Sequence, residues 1–253
     1  MASAACRGSY VGRCFLLLPM RLVAFTSLAL IVSVCPARAD LVTVKAFNND
    51  NNGTTATVSF NNGGGQITEN KLLSQFNVTY SSGSGTVTMN TFTFDLFHEV
   101  TPLQTYAVTP RQDLGTAFTN GRQMAYVFQT YGLPDLTNDP DQAAAVQLAL
   151  WDLSLDNHTP TFFSLGLDGS YSSGDPDVFK VAFGSNPDAS HIAALTSQFL
   201  TAAIGTTMNG AWLDAAGKGA NLMLPVAEPS SDVMTILALG ALGFWSLWRC
   251  RRG

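Results

Sequence analysis

Pro140-Asp141-Gln142-Ala143-Ala144-Ala145-Val146-Gln147-Leu148-Ala149-Leu150-Trp151-Asp152-Leu153-Ser154-Leu155 reads as the strongest helix between the two ends of the chain. Asn138 or Asp139 stands in the N-cap position, and Pro140 falls in the first turn, where its missing N–H costs nothing. Val146, Ala149, Leu150 and Leu153 form one stripe, and Gln147 and Trp151 stack on the next. Nearly every face is apolar, and a helix of that kind is buried.

On the N-terminal side of this helix, residues 41–108 are rich in Thr, Val, Phe, Asn and Gly, with turn clusters at 49–53, 61–65 and 81–85. Between the clusters lie alternating segments at 55–60, 73–80 and 86–100, and in the last of these Phe92, Phe94 and Leu96 share one face. Period-two alternation bounded by Gly and Asn turns predicts antiparallel strands. From Leu114 onward the pattern is helical. Phe118, Arg122, Ala125 and Gln129 mark one amphipathic stretch before Gly132-Leu133-Pro134, and Ile192, Leu195, Phe199 and Ala203 mark a later one. The expected fold class is α+β: an antiparallel β-rich N-terminal half, a buried helix and further helices, flanked by an N-terminal signal helix and a C-terminal transmembrane helix.

The flanks carry targeting signals. Met20-Arg21 opens a basic end, residues 22–34 are apolar, and Ala37-Arg38-Ala39 precedes Asp40. That order is a signal peptide over 1–39 with cleavage between Ala39 and Asp40, and Met20 is an alternative start. A lipoprotein reading would place Cys35 at the new terminus, but Val34 before it is not small. At the other end, residues 233–248 are a run of apolar or small side chains followed by Arg249, Cys250, Arg251, Arg252 and Gly253. About sixteen residues rise about 24 Å as a helix, a little under a ~30 Å hydrocarbon core. Interfacial Trp245 and Trp248 and snorkelling arginines cover the shortfall. The basic tail at 249–253 stays in the cytoplasm by the positive-inside rule, which leaves the preceding domain outside the membrane.

Val226-Ala227-Glu228-Pro229-Ser230, the apolar helix with Leu237-Ala238-Leu239-Gly240-Ala241-Leu242-Gly243, and the arginine cluster stand in order. Together they resemble the PEP-CTERM sorting signal of Gram-negative bacteria. The resemblance implies an exosortase-like processing enzyme and the membrane as partners, and links the protein to exopolysaccharide production. It also implies that the protein is held at the cell surface or released after processing. Ala227 stands where the family usually has proline.

The residues between the signals, 40–223, are about the size of one ordinary core, with 224–232 as a linker bearing the sorting motif. From Asp40 to Val226 there are sixteen Asp and Glu against six Lys and Arg, a balance of −10. Such a surface repels phosphate backbones, so nucleic acid is not an expected partner. Cys6, Cys14, Cys35 and Cys250 all lie outside this region, which therefore holds neither disulfide nor thiolate metal site.

Ala145-Val146-Gln147-Leu148-Ala149-Leu150-Trp151 and Phe92-Thr93-Phe94-Asp95-Leu96 resemble the two signature segments of bacterial surface thioester domains over residues 92–156. In that family a strand Cys and a helix Gln join as an internal thioester that acylates amines; a downstream strand from Val100 to Val108 and a helix near Met124 to Tyr131 also fit that layout. The cysteine position falls here at Thr93 and the glutamine at Gln147, so the resemblance implies the fold without the thioester. Ordinary helix packing is the alternative account of Gln147 and Trp151.

Enzyme signatures are missing. His98-Glu99 begins like a zinc-protease motif, but Thr101 and Pro102 stand where a continuing helix is needed. His158 and His191 lie apart. Asp135, Asn138, Asp139 and Asp141, and separately Asp168, Asp175 and Asp177, are oxygen-rich loops that calcium would suit, but turn and cap roles explain them without a metal. No cofactor or metal site is expected. The favoured role is a non-enzymatic adhesive or structural surface protein, with no deep polar pocket. Two alternatives are a covalent adhesin with unusual chemistry at Gln147, and a polysaccharide hydrolase using a pair such as Asp152 and Asp156.

Overall fold

Alternation in the first half of the chain produces antiparallel sheet, and the helices follow it in a mixed α+β structure. The computed structural model describes residues 40–47, 54–61, 65–155 and 179–226, which lie in one compact unit. Its strands are β1 (Asp40–Phe47), β2 (Thr54–Asn61), β3 (Gln66–Leu73), β4 (Phe76–Ser82), β5 (Gly85–Thr91), β6 (Thr105–Arg111), β7 (Phe179–Ala182), β8 (Ala211–Asp214) and β9 (Leu222–Leu224). Its helices are α1 (Leu114–Ala117), α2 (Gly121–Val127), α3 (Pro140–Leu155) and α4 (Ala189–Ala203), with a π-helical turn at Phe128–Gly132 after α2. The last strand ends one residue past the boundary expected at 223.

One sheet runs β5-β4-β1-β6-β8-β9 and the other β3-β2-β7, all neighbours being antiparallel. Val42 and Val44 of β1, Phe76 and Val78 of β4, and Val108 of β6 form one apolar cluster of the larger sheet. The second and larger cluster is built around α3, in which every residue from Ala143 to Leu153 is buried. That helix packs on α2, α4 and the strands β2, β3 and β7, so its all-round apolar surface has partners on several sides. Its start follows the local rules. Asp139 is the cap: its carboxylate accepts the Gln142 N–H at 3.1 Å and its carbonyl accepts the Ala143 N–H at 3.0 Å. Ile192, Phe199 and Ala203 of α4 are buried, with Leu195 packed against the core, as the 3.6-residue spacing predicts.

Four expected segments need correction. The strand expected over 73–80 is broken at Ser74-Gln75, because the buried Gln75 side chain is occupied elsewhere. Its Nε2 donates to Gly132 O at 2.9 Å and Pro134 O at 2.8 Å, and its Oε1 accepts the Leu136 N–H at 3.1 Å. The strand expected over 86–100 ends at Thr91. Beyond it Phe92, Phe94 and Leu96 still point into the core, but the backbone pairs only briefly with the β9 region, through Met223 N to Phe92 O at 2.9 Å and Phe94 N to Asn221 O at 3.3 Å. Asp95 then turns the chain by accepting the Phe97 N–H at 2.9 Å. The strand expected from Val100 begins only at Thr105. The amphipathic stretch expected through Phe118 and Arg122 is two helices, because Phe118 is extended and Asn120, fully buried, donates to Leu153 O at 3.2 Å.

Among the described residues no helix is long and apolar enough to cross a membrane. The signal segment 1–39 with Ala39, the motif residues Ala227, Glu228, Pro229 and Ser230, the apolar segment 233–248 and Arg249, Arg251 and Arg252 lie outside the described residues. Asp156, His158, Asp168, Asp175 and Asp177 also lie outside them.

Candidate functional site

Thr93 and Gln147, picked out by the two signature segments, meet in the interior. Gln147 sits in the middle of α3, fully buried, and its side-chain Nε2 donates to the backbone carbonyl of Thr93. Its Oε1 is buried and meets no hydrogen-bond donor among the described residues. The Thr93 hydroxyl is directed elsewhere: it donates to Asn221 O at 3.0 Å, lies 3.2 Å from Asp95 O, and accepts the Asp95 N–H at 3.1 Å. This hydroxyl therefore ties the Phe92–Leu96 segment to the residues before β9. With no thiol at position 93, the pair holds a hydrogen bond where a thioester would need sulfur.

Beside Thr93 opens a cleft of about 260 Å³. Thr93, Asp95, Leu96 and Trp151 of α3 are part of its lining. His98 and Glu99 follow on the loop, and Asn70 and Lys71 come from β3. Phe47 and Phe76, packed edge to face with ring centres 5.1 Å apart, also border it. The cleft is open, and part of its lining is polar.

Three features give the cleft chemical character. Asp95 Oδ2 lies 2.9 Å from His98 Nδ1, with the carboxylate buried and the imidazole more than one-third exposed. The Asp95 charge acts beyond this pair, since the Tyr106 phenol is pushed well above its usual range, mainly by burial and then by that carboxylate. Trp151 is 3 % exposed, and its indole N–H has no acceptor among the described residues. Lys71 pairs with Glu69 on the same strand. Among the described residues no group of three His, Cys, Asp or Glu side chains is placed to hold a metal ion.

The remaining candidates disperse. Asp152 is buried within α3 and does not line the cleft. His191 Nε2 is 4.0 Å from an Asp141 carboxylate oxygen at the start of α3. Burial, and then Asp188, raise the Asp141 pKa, partly offset by His191. Asp135 accepts the Thr137 hydroxyl at 2.6 Å and the Thr137 N–H at 3.1 Å, which lowers its pKa. Asp139 is the helix cap. Turn and cap geometry thus accounts for Asp135 and Asp139 of the first oxygen-rich loop.

Asp40 opens β1, where its carboxylate accepts the Tyr80 hydroxyl at 2.6 Å. Val226 is exposed two residues after β9. In the sequence His98 reads with Glu99, and the contact with Asp95 is set by the fold. Its signal is an aspartate that closes a turn three residues before a histidine. Comparison with protein-family models, with curated proteins and with solved structures finds nothing that matches this chain.

Proposed function

We propose that the chain is an exported surface or extracellular-matrix protein with a non-enzymatic adhesive or structural role, and that its domain is a thioester-domain relative lacking the cysteine. The observation that carries the reading is the buried contact between Gln147 and Thr93, the two positions at which such a domain would close its thioester. Export and sorting rest on the signal segment, the tripartite tail and an exosortase-like enzyme acting on it at the membrane, with exopolysaccharide as the polymer the protein accompanies.

Intact mass spectrometry of the wild type and of Thr93→Cys, each recovered separately from envelope and medium, tests both halves. The wild type should begin at Asp40, end near Pro229 or Ser230, and retain the full mass of its Gln147 amide. In Thr93→Cys the new thiol should attack the Gln147 carboxamide, forming the S–C(=O) bond and expelling one ammonia, and methylamine should then add back across the thioester. A Thr93→Cys chain of full mass with a free thiol would remove the thioester-domain reading. A wild-type chain short of one ammonia would favour an ester at Thr93, the covalent adhesin. Wild-type protein that keeps Arg249, Arg251 and Arg252 in the membrane would remove exosortase processing.

A further inference from the structure

We propose that the cleft beside Thr93 binds a single uncharged sugar ring, with Trp151 donating to one of its hydroxyl oxygens and His98 accepting from another hydroxyl. The inference does not depend on how the tail is processed or on the chemistry at Gln147. Its volume, about 260 Å³, falls just below the ~300 Å³ at which pockets for drug-sized ligands begin, which suits one ring better than an extended chain within the walls.

The lining then narrows the chemistry by elimination. An anion would face the carboxylates of Asp95 and Glu99, and a cation would face the Lys71 ammonium, so neither sign of fixed charge is complementary to the whole cleft. A purely apolar ligand would strip water from those same charged groups, and the pairs Asp95–His98 and Lys71–Glu69 meet only part of their hydrogen-bonding capacity, which is unfavourable. An uncharged ring bearing hydroxyls meets neither objection, because each hydroxyl both donates and accepts. Its C–H faces can lie against Phe47 and Phe76, while its oxygens take hydrogen bonds from the polar side.

One donor and one acceptor border the cleft for that use. The Trp151 N–H is buried and meets no acceptor among the described residues, so a ligand oxygen that reached it would satisfy a group otherwise costly to bury. His98 has its Nδ1–H held on the Asp95 carboxylate, which orients the ring and leaves Nε2 as an acceptor for a ligand hydroxyl.

Saturation-transfer NMR on the detergent-solubilised full chain tests this, with the methyl glycosides of glucose, galactose, mannose and N-acetylglucosamine as neutral probes, and glucuronate and glucosamine as charged ones. At least one neutral glycoside should receive saturation, and Trp151→Phe and His98→Ala should each weaken its binding about tenfold, the size of one lost hydrogen bond. His98 is the more exposed of the two, so His98→Ala keeps the test open if Trp151→Phe fails to fold. Saturation of no neutral glycoside, or of a charged sugar alone, overturns the proposal. So does a neutral sugar whose binding is unchanged in His98→Ala, since it then sits elsewhere. None of these outcomes bears on the masses measured for the surface role.

Discussion

Gln147 on α3 donates its side-chain amide to the backbone carbonyl of Thr93, across 54 residues of sequence, inside the main core. The contact satisfies a carbonyl just past β5 that no regular ladder reaches, and it anchors the Phe92–Leu96 segment against the central helix. It leaves the amide oxygen without a donor among the described residues. The stabilising and destabilising halves of one side chain can therefore be separated by substitution.

Gln147→Ala should destabilise the fold by about 2–4 kcal/mol, since it orphans the Thr93 carbonyl and opens a cavity in a fully buried layer. Gln147→Leu orphans the same carbonyl but fills that cavity, and removal of the unpaired oxygen offsets the lost hydrogen bond, so its cost should stay below about 1 kcal/mol. Urea unfolding of both variants checks the difference, and equal losses would mean that the hydrogen bond outweighs the rest.

Gln75→Ala should cost about 2–4 kcal/mol, as three hydrogen bonds to the 132–136 turn disappear together and two of the partners, Gly132 and Leu136, are buried. Amide exchange at Leu136 should accelerate beyond the global change. An unchanged Leu136 amide would show that the turn is held by the packing around it and not by Gln75.

Gly121→Ala should prevent stable folding. A Cβ at this position would lie 1.8 Å from Leu114 O and 2.5 Å from Leu114 C, and both obstructing atoms are backbone, which cannot rotate away. Gly83→Ala is the control, with nothing within 4 Å of the new methyl, and should shift stability by less than about 0.5 kcal/mol. Thermal melts of the pair decide it.

The Tyr80 phenol is pushed up from 10.0 to about 12, first by burial and then by its hydrogen bond to Asp40. The folded state holds that proton more tightly than the unfolded chain. The resulting stability is complete below pH 10.0 and is lost as pH rises toward about 12. Tyr106, raised in the same direction, adds to the loss. Urea midpoints measured across this window should fall for the wild type and fall less steeply for Tyr80→Phe. Parallel curves would show that Tyr80 ionises alike in both states.

Local rules determined much of the fold. Asp139 and Pro140 set the start of α3, and an apolar surface on every face required that the helix be buried, because capping and periodicity act within a few residues. Alternation likewise predicted the sheet half and the buried face of Phe92, Phe94 and Leu96. The two signature segments pointed to Thr93 and Gln147 separately, but nothing within either segment says that they touch. Tertiary structure alone decided that contact, the break at Gln75, the split at Asn120 and the cleft joining Asp95, His98, Lys71 and Trp151. In each of these a polar side chain finds a partner or neighbour far along the chain, and the choice depends on which distant groups the packed core leaves buried beside it.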